Sequence, residues 1–144
     1  DQRKRLLDLP AVFVKQGRGH KVPITVELQK LLDGCIRDAR SDLVFPSLRT
    51  GGEMNGWTKM VSALNQASGV DFTLHDLRRT FRTGLSRVGV DVDTAELALG
   101  HARADLEAIY NRDEALDRLR DAFGRWADHV SAFPSARLSE KAAA

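Results

Sequence analysis

The chain of 144 residues holds a single cysteine, Cys35. One thiol excludes an internal disulfide and any zinc centre built on several cysteines. No cluster of acids or histidines has metal-ligand spacing. No apolar run approaches the ~18 residues that a membrane span requires, and no charged-then-apolar start reads as a signal peptide. Aromatic residues make up only 6% of the chain, with one tyrosine, Tyr110. The sequence opens on Asp1 rather than Met and reads as part of something longer.

What is present is an ordinary globular mixture, 42% hydrophobic and 29% charged. The length suffices for one core and falls short of two. The net charge of +2 hides an uneven distribution: residues 1–21 carry +4, residues 75–87 carry +3, and residues 91–121 carry −5. Of the 22 basic residues, 16 are arginine, the planar, bidentate binder of phosphate. A basic face beside an acidic one suits a nucleic-acid partner. A mixed, solvated surface has the same composition, so charge alone does not decide.

Residues 6–24 read as a β-hairpin. Val12, Phe13 and Val14 favour one strand, Val22 and Ile24 the other, and residues 15–20, with Gly17 and Gly19, form the turn. Pro23 belongs at an edge or a strand end. Thr25 is expected to cap a helix running to residue 39, with Leu28, Leu31, Leu32, Cys35 and Ile36 at helical spacing. Residues 42–52 are loop, with Leu43, Val44 and Phe45 anchoring it to the core. Asn55 is expected to cap a second helix that turns Met60, Leu64 and Ala67 inward and stops at Gly69. Thr73 caps a third, residues 74–88, with Leu77, Phe81 and Leu85 as its apolar stripe. Asp91 or Asp93 caps a short helix ending at Gly100. Residues 103–111 and 113–130 read as two more, the last with Leu116, Leu119, Phe123 and Trp126 on one face. The expected class is mainly α with a small N-terminal β-hairpin (α+β), one domain over residues 1–133, followed by a mobile tail, 134–144.

Four places carry possible chemistry. His75 and Arg78 lie three apart and share a helix face. Arg78 could grip a phosphate oxygen and His75 could hold or move a proton; a helix-start histidine and solvated arginines fit the same text. Gly100 ends a helix and sets His101 on a turn, facing a cleft or simply solvent. Tyr110 is a nucleophile if activated: at a free pKa of ~10 only about a thousandth is ionised at neutral pH. Otherwise it is a packing residue. Lys15, at the hairpin mouth, could reach DNA or donate a proton to a leaving oxygen, or be solvated. Asp76 reads as a helix-start residue favouring the dipole, Arg79 as a phosphate contact or an ion pair, and His129 as a surface residue.

Together and in order, Lys15, then Lys21-Val22-Pro23-Ile24, His75-Asp76-Leu77-Arg78-Arg79-Thr80, Leu99-Gly100-His101 and Tyr110-Asn111-Arg112 resemble the tyrosine recombinases, the phage-type integrases, over nearly the whole chain to about residue 130. The resemblance implies the DNA breaking-rejoining catalytic fold. It casts Tyr110 as the nucleophile that forms a 3′-phosphotyrosyl bond and Arg78 as a clamp on the scissile phosphate. His75 becomes the partner that assists proton transfer, His101 a donor to a non-bridging oxygen, and Lys15 the general acid for the departing 5′-oxygen. It further implies a site-specific recombinase that integrates or excises a mobile element such as a prophage. Such an enzyme acts as a homo-tetramer on double-stranded DNA, without cofactor, metal or ATP, in a bacterial cytoplasm or encoded by a phage. The segment after the tyrosine often packs on a neighbouring protomer in that family, which makes Phe123, Trp126 and Phe133 candidates for helix exchange.

The chemistry is consistent with that set. Attack on a phosphodiester gathers negative charge on five-coordinate phosphorus, and without a metal fixed cations and hydrogen-bond donors must stabilise it. One departure matters: the family pattern has a further arginine upstream of the hairpin, and Arg3 and Arg5 do not stand in its place. A truncated chain that cleaves poorly is therefore expected, and a non-catalytic DNA-binding remnant is the alternative. A helical regulator that lays residues 75–87 in the major groove is a third reading, but it leaves the spacing from His101 to Tyr110 a coincidence.

Overall fold

The computed structural model describes residues 5–14, 17, 19–35, 41–47, 49–101 and 112–133. In chain order these form β1 (Leu6–Leu9), β2 (His20–Pro23), α1 (Val26–Asp33), α2 (Trp57–Ser68), α3 (Leu74–Arg87), α4 (Val92–Ala98) and α5 (Arg112–Ser131). The class is the expected one, mainly helical with an N-terminal antiparallel hairpin. Among the described residues no helix is long and apolar enough to cross a membrane. The helix expected over residues 103–111 and the tail 134–144 lie outside the described residues.

The hairpin differs from its expected register. Leu6 pairs with Pro23, Leu7 with Val22, Asp8 with Lys21 and Leu9 with His20. The first strand is therefore Leu6–Leu9, not the strand-favouring Val-Phe-Val stretch at residues 12–14. Pro10 is the reason. It has no N–H to give to a ladder, and its carbonyl accepts from the Phe13 amide at 3.0 Å, closing the 3-10 turn Ala11–Phe13. Val12 and Phe13 consequently stand 83% and 80% exposed. Leu6 is buried, and a slip by one residue would turn it to solvent, which pins the register. Pro23 ends β2, as its missing N–H demands.

Thr25 caps α1 as expected, its hydroxyl oxygen accepting from the Leu28 amide at 3.2 Å. The helix closes at Gly34, short of residue 39, because glycine is a poor interior residue; residues 36–40 lie outside the described residues. At α2 the cap position falls to Gly56, at φ 90°, rather than to Asn55. Gly69 stops that helix as expected. Met60, Leu64 and Ala67 are exposed rather than inward, and so are Leu43, Val44 and Phe45. Helical spacing marks an apolar face, but only a neighbouring element buries it, and among the described residues none covers these. The loop is instead held by Pro46, buried and bridged to Glu53.

The core lies where α3, α4 and α5 meet. Leu85, Ala95, Ala98, Leu119 and Ala122 are buried there, with Phe81, Phe123 and Trp126 packed against them. Leu77, expected on the inward stripe of α3, is 55% exposed. It sits two turns N-terminal to Leu85, outside the set of side chains packed against the core. The Phe81 ring lies 5.4 Å from that of Phe123 and 5.6 Å from that of Trp126, within the range of favourable aromatic pairs. Phe123 and Trp126 thus belong to this chain's own core, while Phe133 is exposed. His129 is half-buried, its ring between Trp126 and Phe133 rather than free at the surface.

Candidate active site

Three backbone devices build the site. The first starts α3. The Thr73 hydroxyl accepts from the Asp76 amide, and the Asp76 carboxylate accepts from the Thr73 amide at 3.0 Å, a reciprocal capping box. Those bonds to Thr73, with a lesser contribution from Arg79, hold the Asp76 carboxyl below its usual range. Asp76 is therefore a helix-start residue, and Arg79 pairs with it at 3.1 Å on the surface.

The second device ends α4. Gly100 takes φ 72°, the His101 amide donates to the Glu96 carbonyl at 2.9 Å, and the Gly100 amide donates to the Leu97 carbonyl at 2.9 Å. This is a Schellman closure. It folds His101 back over the last turn of the helix, beside Glu96. The third is the spacing of Arg78 and Arg82, one turn apart on α3 and so on one face.

These devices close a line of hydrogen bonds. The Arg78 Nη2 donates to the Leu99 carbonyl at 2.6 Å and to His101 Nε2 at 2.8 Å. His101 Nδ1 donates to Glu96 Oε2 at 2.8 Å, and Glu96 Oε1 accepts from Arg82 Nε at 2.7 Å. Arg82 also donates to the Ser86 hydroxyl at 2.9 Å. Bonds from Arg82 first and His101 second draw the Glu96 carboxyl below its usual range. Guanidinium groups only donate and carboxylates only accept. The bonded imidazole of His101 therefore carries its proton on Nδ1 and leaves Nε2 bare.

His20 is the fourth contributor. The ring lies against Gly100, where an added Cβ would be 3.5 Å from Nδ1. Burial pushes its pKa down, a hydrogen bond to the Ala98 backbone opposes this, and the charge of Arg78 lowers it further. The folded chain thus prefers neutral His20, while the unfolded chain titrates near 6.5. Below that pH the unfolded state binds a proton that the native ring resists, so stability falls on acidification. The melting temperature should drop between about pH 7.5 and about pH 5.5, and His20→Gln should flatten that slope. An unchanged slope in the variant would place the effect elsewhere.

Of the residues singled out in the sequence, the structure brings Arg78 and His101 into contact across 23 positions. His75 stands exposed one turn before Arg78 and outside the hydrogen-bonded line. Lys15 and Tyr110 lie outside the described residues. Glu96, Arg82 and His20 were not anticipated. Glu96 had a signal: a glycine just past a helix end brings the next residue back toward the position five before it. Arg82 had its one-turn spacing from Arg78, and His20 had none in the sequence. Among the described residues, no group of three His, Cys, Asp or Glu side chains could share a metal ion.

Residues 3–116 match the sequence pattern of the phage integrase family. This chain belongs to that family. It is 32% identical over 127 residues to the tyrosine recombinase XerA of Thermococcus kodakarensis, covering 81% of this chain and 44% of that protein. It is 28% identical over 122 residues to the tyrosine recombinase XerD of Listeria monocytogenes, covering 74% of this chain and 41% of that one. The integrase-family chain thus spans less than half the length of these relatives. No solved structure matches it at the same stringency.

Proposed function

We propose that residues 1–133 are the catalytic domain of a site-specific DNA recombinase, which breaks and rejoins double-stranded DNA through a 3′-phosphotyrosine on Tyr110. The observation that carries this reading is the convergence of Arg78 and His101, from α3 and from the turn after α4, within 2.8 Å of one another. A phosphate oxygen arriving there would take over the Arg78 donor, and His101, once protonated, would add a second.

In the proposed step the Tyr110 phenol oxygen bonds to phosphorus and the bond from phosphorus to the 5′-oxygen breaks. The phenolic proton leaves with help from His75, and Lys15 supplies a proton to the departing oxygen. The bond count at phosphorus is conserved, so reversal reseals a strand without ATP. In this reading the working form is a homo-tetramer on DNA that integrates or excises a mobile element.

The test is a nicked duplex incubated with the full-length protein, in a chelator and without ATP. A protein–DNA adduct that survives denaturant is expected. Affinity should also fall steeply with added salt, through counterion release. Retention of DNA with no adduct would favour the binding-only remnant.

A further inference from the structure

We propose that Glu96 is the positioning residue of His101, holding a proton on Nδ1 so that Nε2 is turned to Arg78 and, once it takes up a proton of its own, donates to the phosphate that binds beside it. The inference rests on the reading that Arg78 and His101 face a DNA phosphate.

Geometry carries it. Glu96 uses both carboxylate oxygens, Oε2 on His101 Nδ1 at 2.8 Å and Oε1 on Arg82 Nε at 2.7 Å. A free imidazole could place its proton on either nitrogen. Here an acceptor-only group on one side and a donor-only group on the other select the same tautomer. Arg82 anchors the carboxylate from α3, so the orientation of His101 is referred to the helix that also carries Arg78. Glu96 itself touches neither Tyr110 nor phosphate in this scheme. It acts through His101, as the carboxylate behind a catalytic or metal-bound histidine does elsewhere.

The carboxamide variant gives an unusually sharp expectation. In Glu96→Gln, one oxygen can still accept from Arg82, but the group facing His101 becomes an NH2. Two donors cannot pair, so the imidazole must move its proton to Nε2 and accept at Nδ1. That places an N–H against the Arg78 N–H and breaks their 2.8 Å contact.

The first readout is the imidazole 15N spectrum of His101 in the 144-residue chain above neutral pH. The wild type should show the proton on Nδ1, Glu96→Gln should show it on Nε2, and Glu96→Ala should show a mixture. The second is the adduct-forming rate of the full-length protein at saturating DNA, which should fall about 10–100-fold in Glu96→Gln, the range for such supporting partners, with DNA affinity unchanged. A His101 proton on Nδ1 in both variants, as in wild type, would overturn the proposal, as would wild-type rates in both. If wild type forms no adduct at all, the recombinase reading fails, while the spectrum still decides whether Glu96 sets the tautomer.

Discussion

Replacing Arg78 by alanine is expected to cut adduct formation by at least about 10²–10³, the usual cost of one donor to a developing oxyanion, while leaving the fold in place. The side chain is exposed, and among the described residues it bonds to the Leu99 carbonyl and His101. The packing of α3 rests on Phe81, Gly84 and Leu85 instead. Exposed substitutions of this kind usually move stability by only about 0.5 kcal/mol. Arg78→Lys should recover little. One guanidinium nitrogen serves two acceptors here in a fixed plane, and an ammonium on a flexible stem does not reproduce that fork. A large loss of melting temperature in Arg78→Ala would instead make the residue structural.

The largest effect on stability is expected at Gly84. Alanine in the middle of an exposed helix would ordinarily gain about 1 kcal/mol over glycine. Here a Cβ would lie inside the indole of Trp126. That ring has little room to step aside, because Phe81 and His129 both lie against it, each with its ring centroid 5.6 Å away. Overpacking of a fitted core costs about 1–3 kcal/mol, sometimes more, so Gly84→Ala should destabilise despite its better helix propensity. Gly84→Leu should do so further. The diagnosis can be checked by a double-mutant cycle. With Trp126→Ala in place, which itself costs up to about 3–5 kcal/mol, Gly84→Ala should turn neutral or stabilising in a urea melt. Equal losses in both backgrounds would contradict the clash.

Those two sites also show what could be read from the chain itself. Caps and stops are local chemistry, so Thr25, Thr73, Gly69 and Gly100 were legible, as were Asp91, as one of two cap candidates, and the apolar face of α5. Which faces find partners is not local. Leu77 and Leu85 lie on the same stripe, yet one is 55% exposed and the other fully buried. Strand propensity misled at Val12 and Phe13, because Pro10 cut the ladder two residues earlier. In the site, Arg78 and His101 were legible as residue types at a spacing. Glu96 was submerged in an acidic stretch that read as surface charge, and it became visible only when the Schellman turn brought His101 against it. The fit of Trp126 on Gly84 joins residues 42 positions apart, and nothing in the spacing of either announces it.

The central claim is that this arrangement serves a covalent step on the lone tyrosine. The most direct measurement is to digest the adduct formed on the nicked duplex and locate the nucleotide by peptide mass spectrometry. The account predicts the added mass on the peptide containing Tyr110, and no adduct in Tyr110→Phe. An adduct on another residue, or one that persists in Tyr110→Phe, would contradict it.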